Sequence, residues 1–341
     1  MNRTRNSRRE RWFAAYVLLG LVVGIGTLYW LLARVGGDLD WHRLKQSLPA
    51  LLLVLPWFML PLAAATESWR RLFPAGTEPG MGRALELTWI GMAVNWLLPV
   101  ATVGGEVVKF RLGLKENMRV YALAASLVAD KTLQLVTQIV FILFGVGLLL
   151  WDAGRLDWHV GGGFTLAGMT LVVYLFYRLQ KAGMFSGLAA GFGRIAATER
   201  RTHLRAARFD AAVRRVYRRR RAWWESAGWR MLFRVFMAGE VALVMLWLGH
   251  GEVLVAALVL ESLAQGARSA AFFVPAGLGV QEGALVGAGL LLGLPTETLL
   301  AIAVIKRGRE VVIGGPALLV WQWRELIRFW RRLRGSRGQG G

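Results

Sequence analysis

Eleven ionisable residues stand inside or beside stretches that are otherwise apolar enough for a membrane interior: Glu106, Lys109, Arg111, Asp130, Lys131, Arg268, Glu282, Lys306, Arg307, Arg309 and Glu310. A charge at that depth is expensive and marks a path for an ion or a polar substrate. Glu106 and Glu282 each follow a helix-breaking run, Pro99-Val-Ala-Thr-Val-Gly-Gly-Glu106 and Pro275-Ala-Gly-Leu-Gly-Val-Gln-Glu282. Pro99, Gly104 and Gly105 would turn the first break, Pro275, Gly277 and Gly279 the second. Chain restarting as helix after each break offers free N–H groups that, with Lys and Arg nearby, suit a phosphate or polar lipid head. A carboxylate in such a cavity can exchange protons and couple movement to a proton gradient. The same residues have a structural role open to them. A first-turn Glu caps a helix, and Asp130-Lys131 and Arg309-Glu310 also suit interhelical salt bridges.

Composition narrows the field. Of 341 residues 55 % are hydrophobic and 18 % charged, with 42 basic residues against 21 acidic for a net charge of +21. Intrinsic disorder requires the opposite balance, and a water-soluble enzyme would bury less apolar sequence than this. The absence of cysteine removes disulfides, thiolate metal sites and a Cys nucleophile. His42, His159, His203 and His250 are too widely separated for local metal ligation. No Ser–His–Asp set, HExxH, Asp-rich diphosphate motif or G-x-x-x-x-G-K-[ST] loop occurs. The expectation is a protein with no catalytic residues, no metal and no cofactor.

The elements that must position the buried charges are membrane helices. Residues 12–33 carry no charge and follow five arginines; they are long enough to cross about 30 Å of hydrocarbon and place the N-terminus in the cytoplasm. A Pro-kinked span is expected at 48–66, and others near 120–150, 160–177, 231–248 and 298–320. The stretch 178–234 holds 15 basic residues against Glu199, Asp210 and Glu225. Loops assigned outside hold six acidic residues and four basic ones, so both termini are expected on the cytoplasmic side. Within 178–234, apolar Leu204, Ala207, Ala211, Val213 and Val216 alternate with arginines and end at Trp223 and Trp224. That pattern fits an amphipathic helix on an anionic lipid surface. Nucleic acid is not an expected partner, because no aromatic-interleaved motif accompanies the basic residues.

Segments 84–118 and 254–294 do not read as simple crossings. The returning arm of the first carries Glu106, Lys109, Arg111 and Lys115 between two cytoplasmic flanks, which fits a re-entrant hairpin. The second has flanks on the outer side and suits either a re-entrant or a fully spanning hairpin. Span, hairpin and charged helix thus occur twice from opposite faces, the arrangement of inverted-repeat transporters. The fold expected is an all-α polytopic membrane protein, a helical bundle with two opposed broken hairpins forming an inverted repeat. Its parts would be a basic tail 1–11, a membrane half 12–177, a basic amphipathic segment 178–230, a second half 231–320 and a basic tail 321–341.

Asn95-Trp-Leu-Leu-Pro-Val-Ala-Thr-Val-Gly-Gly-Glu-Val-Val-Lys-Phe-Arg111, Phe272-Phe-Val-Pro-Ala-Gly-Leu-Gly-Val-Gln-Glu-Gly283 and Lys306-Arg-Gly-Arg-Glu310 resemble the transmembrane region of lysylphosphatidylglycerol synthases and their stand-alone, flippase-like relatives. The second motif, with Leu292-Gly-Leu-Pro295, is most similar to a subgroup associated with hopanoid biosynthesis. The resemblance implies lipid handling without catalysis, since aminoacyl transfer in the full synthases resides in a separate soluble domain. It places Glu106, Arg111, Glu282, Arg307 and Glu310 on motif positions. A bacterial inner-membrane lipid transporter is therefore expected, moving a hopanoid, a polyprenyl phosphate or an anionic phospholipid by alternating access around the hairpins. A scaffold for lipid-biosynthetic enzymes and, behind it, a membrane-embedded transferase are the alternatives. The cationic residues suit an anionic headgroup better than an uncharged hopanoid polyol. Oligomeric state is not legible.

Overall fold

The computed structural model describes residues 47–98, 104–152, 202–270 and 279–337. The expected spans at 12–33 and 160–177, the outer loop before Ser47, residues 178–201, and the two elbow tips (99–103 with Pro99, 271–278 with Pro275 and Gly277) lie outside them. The described residues are helical, with no strand among them.

Helices α1 (Ala50–Trp57) and α2 (Met59–Arg71) form one kinked element. The bend falls at Phe58, where the missing N–H of Pro61 leaves the Trp57 carbonyl without its ladder partner. The backbone bonds Phe58 N to Val54 O (3.0 Å) and Leu62 N to Phe58 O (3.1 Å) carry the helix through. Then come α3 (Met81–Leu97), α4 (Gly104–Lys115), α5 (Val120–Asp152), α6 (Thr202–Arg218), α7 (Arg220–Trp247), α8 (Leu254–Ala270), α9 (Val280–Leu291) and α10 (Thr296–Arg337). Among the described residues, Ala50–Arg71 and Val120–Trp151 are long and apolar enough to cross a membrane. Helices α7 and α10 cover the spans expected at 231–248 and 298–320, but each carries several charged residues along its length.

The two hairpins have matching arms, 17 and 12 residues for α3 and α4 and again for α8 and α9. At about 1.5 Å per residue a 12-residue arm reaches roughly 18 Å, well short of the bilayer core. Both ends of α9 follow those of α4 by 176 residues, and the start of α10 follows that of α5 by the same interval. Packing is reciprocal as well. The first hairpin packs through α3 on α10, the helix after the second hairpin; the second packs through α8 on α5, the helix after the first; α2 and α7, which precede them, pack on each other. The two largest apolar cores among the described residues lie around the hairpins. Trp69, Leu87, Ile90, Phe110, Leu123 and Leu127 surround the first hairpin, and Val241, Val244, Leu260, Leu285, Leu299 and Ile302 surround the second. Large apolar side chains such as Leu52, Phe144, Leu254, Leu291 and Leu319 point outward, as a lipid-facing surface requires.

Glycine sets how closely the first hairpin closes. A Cβ on Gly105 would lie 2.1 Å from the Gly91 carbonyl oxygen, a backbone atom that cannot turn aside. Gly105→Ala is therefore expected to lower stability by about 1–3 kcal/mol, the range for overpacking a close contact. Gly283→Ala on α9, where a Cβ meets nothing within 4 Å, should be neutral or raise stability by up to about 1 kcal/mol through helix propensity. Thermal denaturation in detergent micelles compares the two.

Candidate functional site

Between the hairpins lies a cavity of about 190 Å³. Asn95 and Glu106 bracket the first elbow, Ser269 and Gln281 the second, and all four line this one space. The described flanks of the two breaks, about half the chain apart in sequence, therefore converge. Helices α5, α7 and α10 complete the wall with Asp130, Lys131 and Gln134, Arg230 and Arg234, and Arg309 and Glu310.

The elbow carboxylates are held from two directions. Glu282 caps its own helix, accepting the Gly279 N–H at Oε2 (2.8 Å), while its Oε1 accepts from Arg307 Nε at 2.5 Å. Gly279 turns the chain at φ 79°, a left-handed conformation that glycine adopts at little cost. At the first elbow Asn95 takes over the capping, its Oδ1 accepting the Gly105 N–H at 2.8 Å, and Glu106 pairs with Lys131 at 2.7 Å. In both halves the elbow Glu thus meets the cation 25 positions further along, on the next long helix. At the second elbow one carboxylate, Glu282, both caps and pairs; at the first the two tasks are divided between Asn95 and Glu106.

The remaining buried acids are paired too. Asp130 meets Arg230, and Glu261 meets Lys306. Glu240 accepts from Arg309 Nε at 2.9 Å, with the Arg309 guanidinium over the rings of Phe58 (4.6 Å) and Trp96 (5.0 Å). Glu310 receives Arg268 and Arg307, each at 2.6 Å, and Arg268 also donates to Gln281 Oε1 at 2.8 Å. Six carboxylates are so matched by six cations, with Arg307 serving Glu282 and Glu310. Two more buried cations, Lys109 and Arg234, have no carboxylate within salt-bridge distance among the described residues. Lys109 Nζ lies 3.8 Å from the centre of the Trp69 ring and 3.4 Å from Thr88 Oγ1. Arg234 donates to Thr137 Oγ1 (3.2 Å), Gln138 Oε1 (2.5 Å) and the Gln134 carbonyl (2.6 Å).

Of the residues singled out from sequence, Glu106, Lys109, Asp130, Lys131, Arg268, Arg309 and Glu310 line the cavity. Glu282, Lys306 and Arg307 stand behind that lining, Arg307 joined to it through Glu310 and Lys306 through Glu261, which accepts from Gln265 of the wall. Arg111 is a correction. Its side chain is 57 % exposed and faces Glu325 at 3.7 Å, because two residues beyond Lys109 is about 200° around a helix and so on the opposite side. Lys115 shares that partner. A second correction concerns Arg230 and Arg234. Counted with the basic stretch 178–234, they are 4 % and 5 % exposed and part of the cavity wall. The sequence reading missed them because net charge over a long loop says nothing of individual faces. It also missed Glu240 and Glu261, each a lone carboxylate in an apolar helical run and each fully buried. Gly104 opens α4. Among the described residues no cluster of His, Asp and Glu is arranged to hold a metal ion.

Helices enclosing buried charge between two short-armed hairpins are the architecture of a membrane protein with a polar interior. No curated protein and no solved structure matches the chain. A family model does, described as the lysylphosphatidylglycerol synthase TM region and aligned over residues 17–316. The chain belongs to that family, whose members are membrane proteins that handle lipids.

Proposed function

We propose that the protein is a lipid translocase of a bacterial inner membrane, carrying the polar head of its substrate through the cavity between the hairpins while the tails stay in lipid. The observation that carries this is the convergence of both elbows on one charged cavity. A site built this way, with two half-helix ends at its centre and reciprocally packed halves around it, suits inverted repeats that rock against each other to open the site to each face in turn. Protonation of an elbow Glu would release its cation and bias one orientation, which is a route to coupling with the proton gradient. No covalent step is assigned; the residues of the wall hold charge and donate hydrogen bonds. Exposed Arg214, Arg215 and Arg218 of α6 rest on the anionic leaflet in this reading, with Trp224, 74 % exposed at the start of α7, at headgroup depth.

The test is reconstitution of the full chain into liposomes containing, in separate preparations, fluorescently labelled hopanoid, polyprenyl phosphate and phosphatidylglycerol. A membrane-impermeant quencher then reports the transbilayer distribution. Faster equilibration than in protein-free vesicles for at least one of these lipids is the expected result. No acceleration for any of them overturns the translocase reading and favours a scaffold.

A further inference from the structure

Among the described residues of the bundle interior, one cation that is able to lose its proton has no carboxylate to hold it. Around the first elbow Glu106 pairs with Lys131 and Asp130 with Arg230, which leaves Lys109 over. Around the second, Glu240, Glu261, Glu282 and Glu310 are matched by Arg309, Lys306, Arg307 and Arg268. Arg234 is also in surplus, but a guanidinium keeps its proton inside proteins. A lysine can exist as the neutral amine, and burial favours that form where no counter-charge stands by.

The surroundings of Lys109 accommodate both forms. On α2 the Trp69 ring lies 3.8 Å from Nζ and attracts the ammonium; its indole N–H is fixed by Ser126 Oγ at 3.1 Å. On α3 Thr88 Oγ1 lies at 3.4 Å, a hydroxyl that accepts from the ammonium or donates to the free amine. The charged groups facing Lys109 are Glu106 on its own helix, Asp130 and Lys131 on α5, and Arg230 on α7, with Arg234 further along the wall. Without the Lys109 proton, the first four balance. A proton added to Glu106 would instead strand Lys131 and enlarge the surplus. Lys109 also lines the cavity, where entering water meets it.

We propose that Lys109 is the proton carrier of the protein. Its ammonium gives a proton to water while the cavity is open to one face, and the amine takes one from water at the other. One proton crosses the bilayer per cycle, and no other bond forms or breaks. This rests on the translocase reading for the movement that exposes Lys109 to each face, and on the charge balance for the identity of the group.

The chain has six lysines, few enough to follow singly by NMR of isotope-labelled side-chain nitrogens in the full-length protein in detergent. As pH rises, one ammonium signal should be lost while the others persist, and that signal should be missing from Lys109→Arg and Lys109→Gln. A Lys109 signal that lasts as long as the rest overturns the proposal. In proteoliposomes with the membrane potential collapsed, a pH difference of about one unit should bias the transbilayer distribution of labelled phosphatidylglycerol, polyprenyl phosphate or hopanoid by up to about tenfold, the limit for one proton per lipid. Lys109→Arg, which holds its proton, and Lys109→Gln, which has none, should abolish that bias. A bias kept in either variant, or absent from wild type while lipid moves, overturns the proposal. If neither variant folds or moves lipid, a pH indicator enclosed with wild type decides: one proton should accompany each lipid, and no proton movement overturns the carrier. If Lys109 loses its proton as expected but no lipid moves in any vesicle, the proton site stands and the translocase reading fails.

Discussion

Arg309→Leu is expected to destabilise the protein by about 3–5 kcal/mol, the usual cost of stranding one partner of a buried ion pair. Glu240 is fully buried and Arg309 is 1 % exposed, so the carboxylate left behind has no solvent to turn to, and the other base near it, Lys306, is already paired with Glu261. Arg309 also loses its stacking over Phe58 and Trp96, which adds to the effect. The partner substitution separates these contributions. Glu240→Leu together with Arg309→Leu removes both charges and should recover most of the loss, since buried pairs are often replaceable by apolar side chains at little net cost. Chemical denaturation in mixed micelles gives the comparison. A single Arg309→Leu within 1 kcal/mol of wild type would show that this pair is solvated in the membrane.

The second large effect concerns the elbows. Glu106→Gln should reduce lipid translocation at least tenfold, because it removes the charge facing Lys131 at the tip of the first hairpin, where a moving headgroup would pass. Restoring the pair in reverse, Glu106→Lys with Lys131→Glu, is expected to recover stability but not translocation. The helix end then carries a cation against its own positive dipole end, and the carboxylate sits on α5. If the reversed pair restores translocation in full, Glu106 is a structural clasp and no more. Glu282→Gln should be the milder change for stability, since Arg307 keeps Glu310 at 2.6 Å, and similar for translocation. Dithionite quenching of labelled lipid in proteoliposomes measures the effect, with protein yield as the control.

Much of the site is legible in the sequence. The paired Pro-to-Glu breaks fall where the described helices stop and restart, and the charged positions picked out downstream include Lys131 and Arg307, which the structure joins to Glu106 and Glu282. These survive because proline and glycine break helices whatever surrounds them, and because a charge in an apolar run must find a partner. Glu240 and Glu261 obey the same rule and are legible by it, though each stands alone where the other buried charges cluster. Arg230 and Arg234 were hidden differently, in a stretch where arginine is common, so their burial became visible only when α7 was seen to run unbroken from Arg220 to Trp247. Arg111 shows the converse. It lies on the motif yet turns away from the cavity, since helical phase, not proximity in sequence, decides which residues of α4 face inward. Which cation partners which acid depends on packing between distant helices. A single sequence carries no signal for it.

Translocation by alternating access requires the cavity to open to both sides of the membrane. The chain has no cysteine, so Met92→Cys and Ser269→Cys, each lining the cavity without entering an ion pair, provide single reporters without background. In sealed proteoliposomes of known orientation, a membrane-impermeant thiol reagent should label each reporter from the outer face and, when enclosed, from the inner face, with protection by bound phosphatidylglycerol. Labelling of both positions from one face only, under every lipid and pH condition, would contradict alternating access.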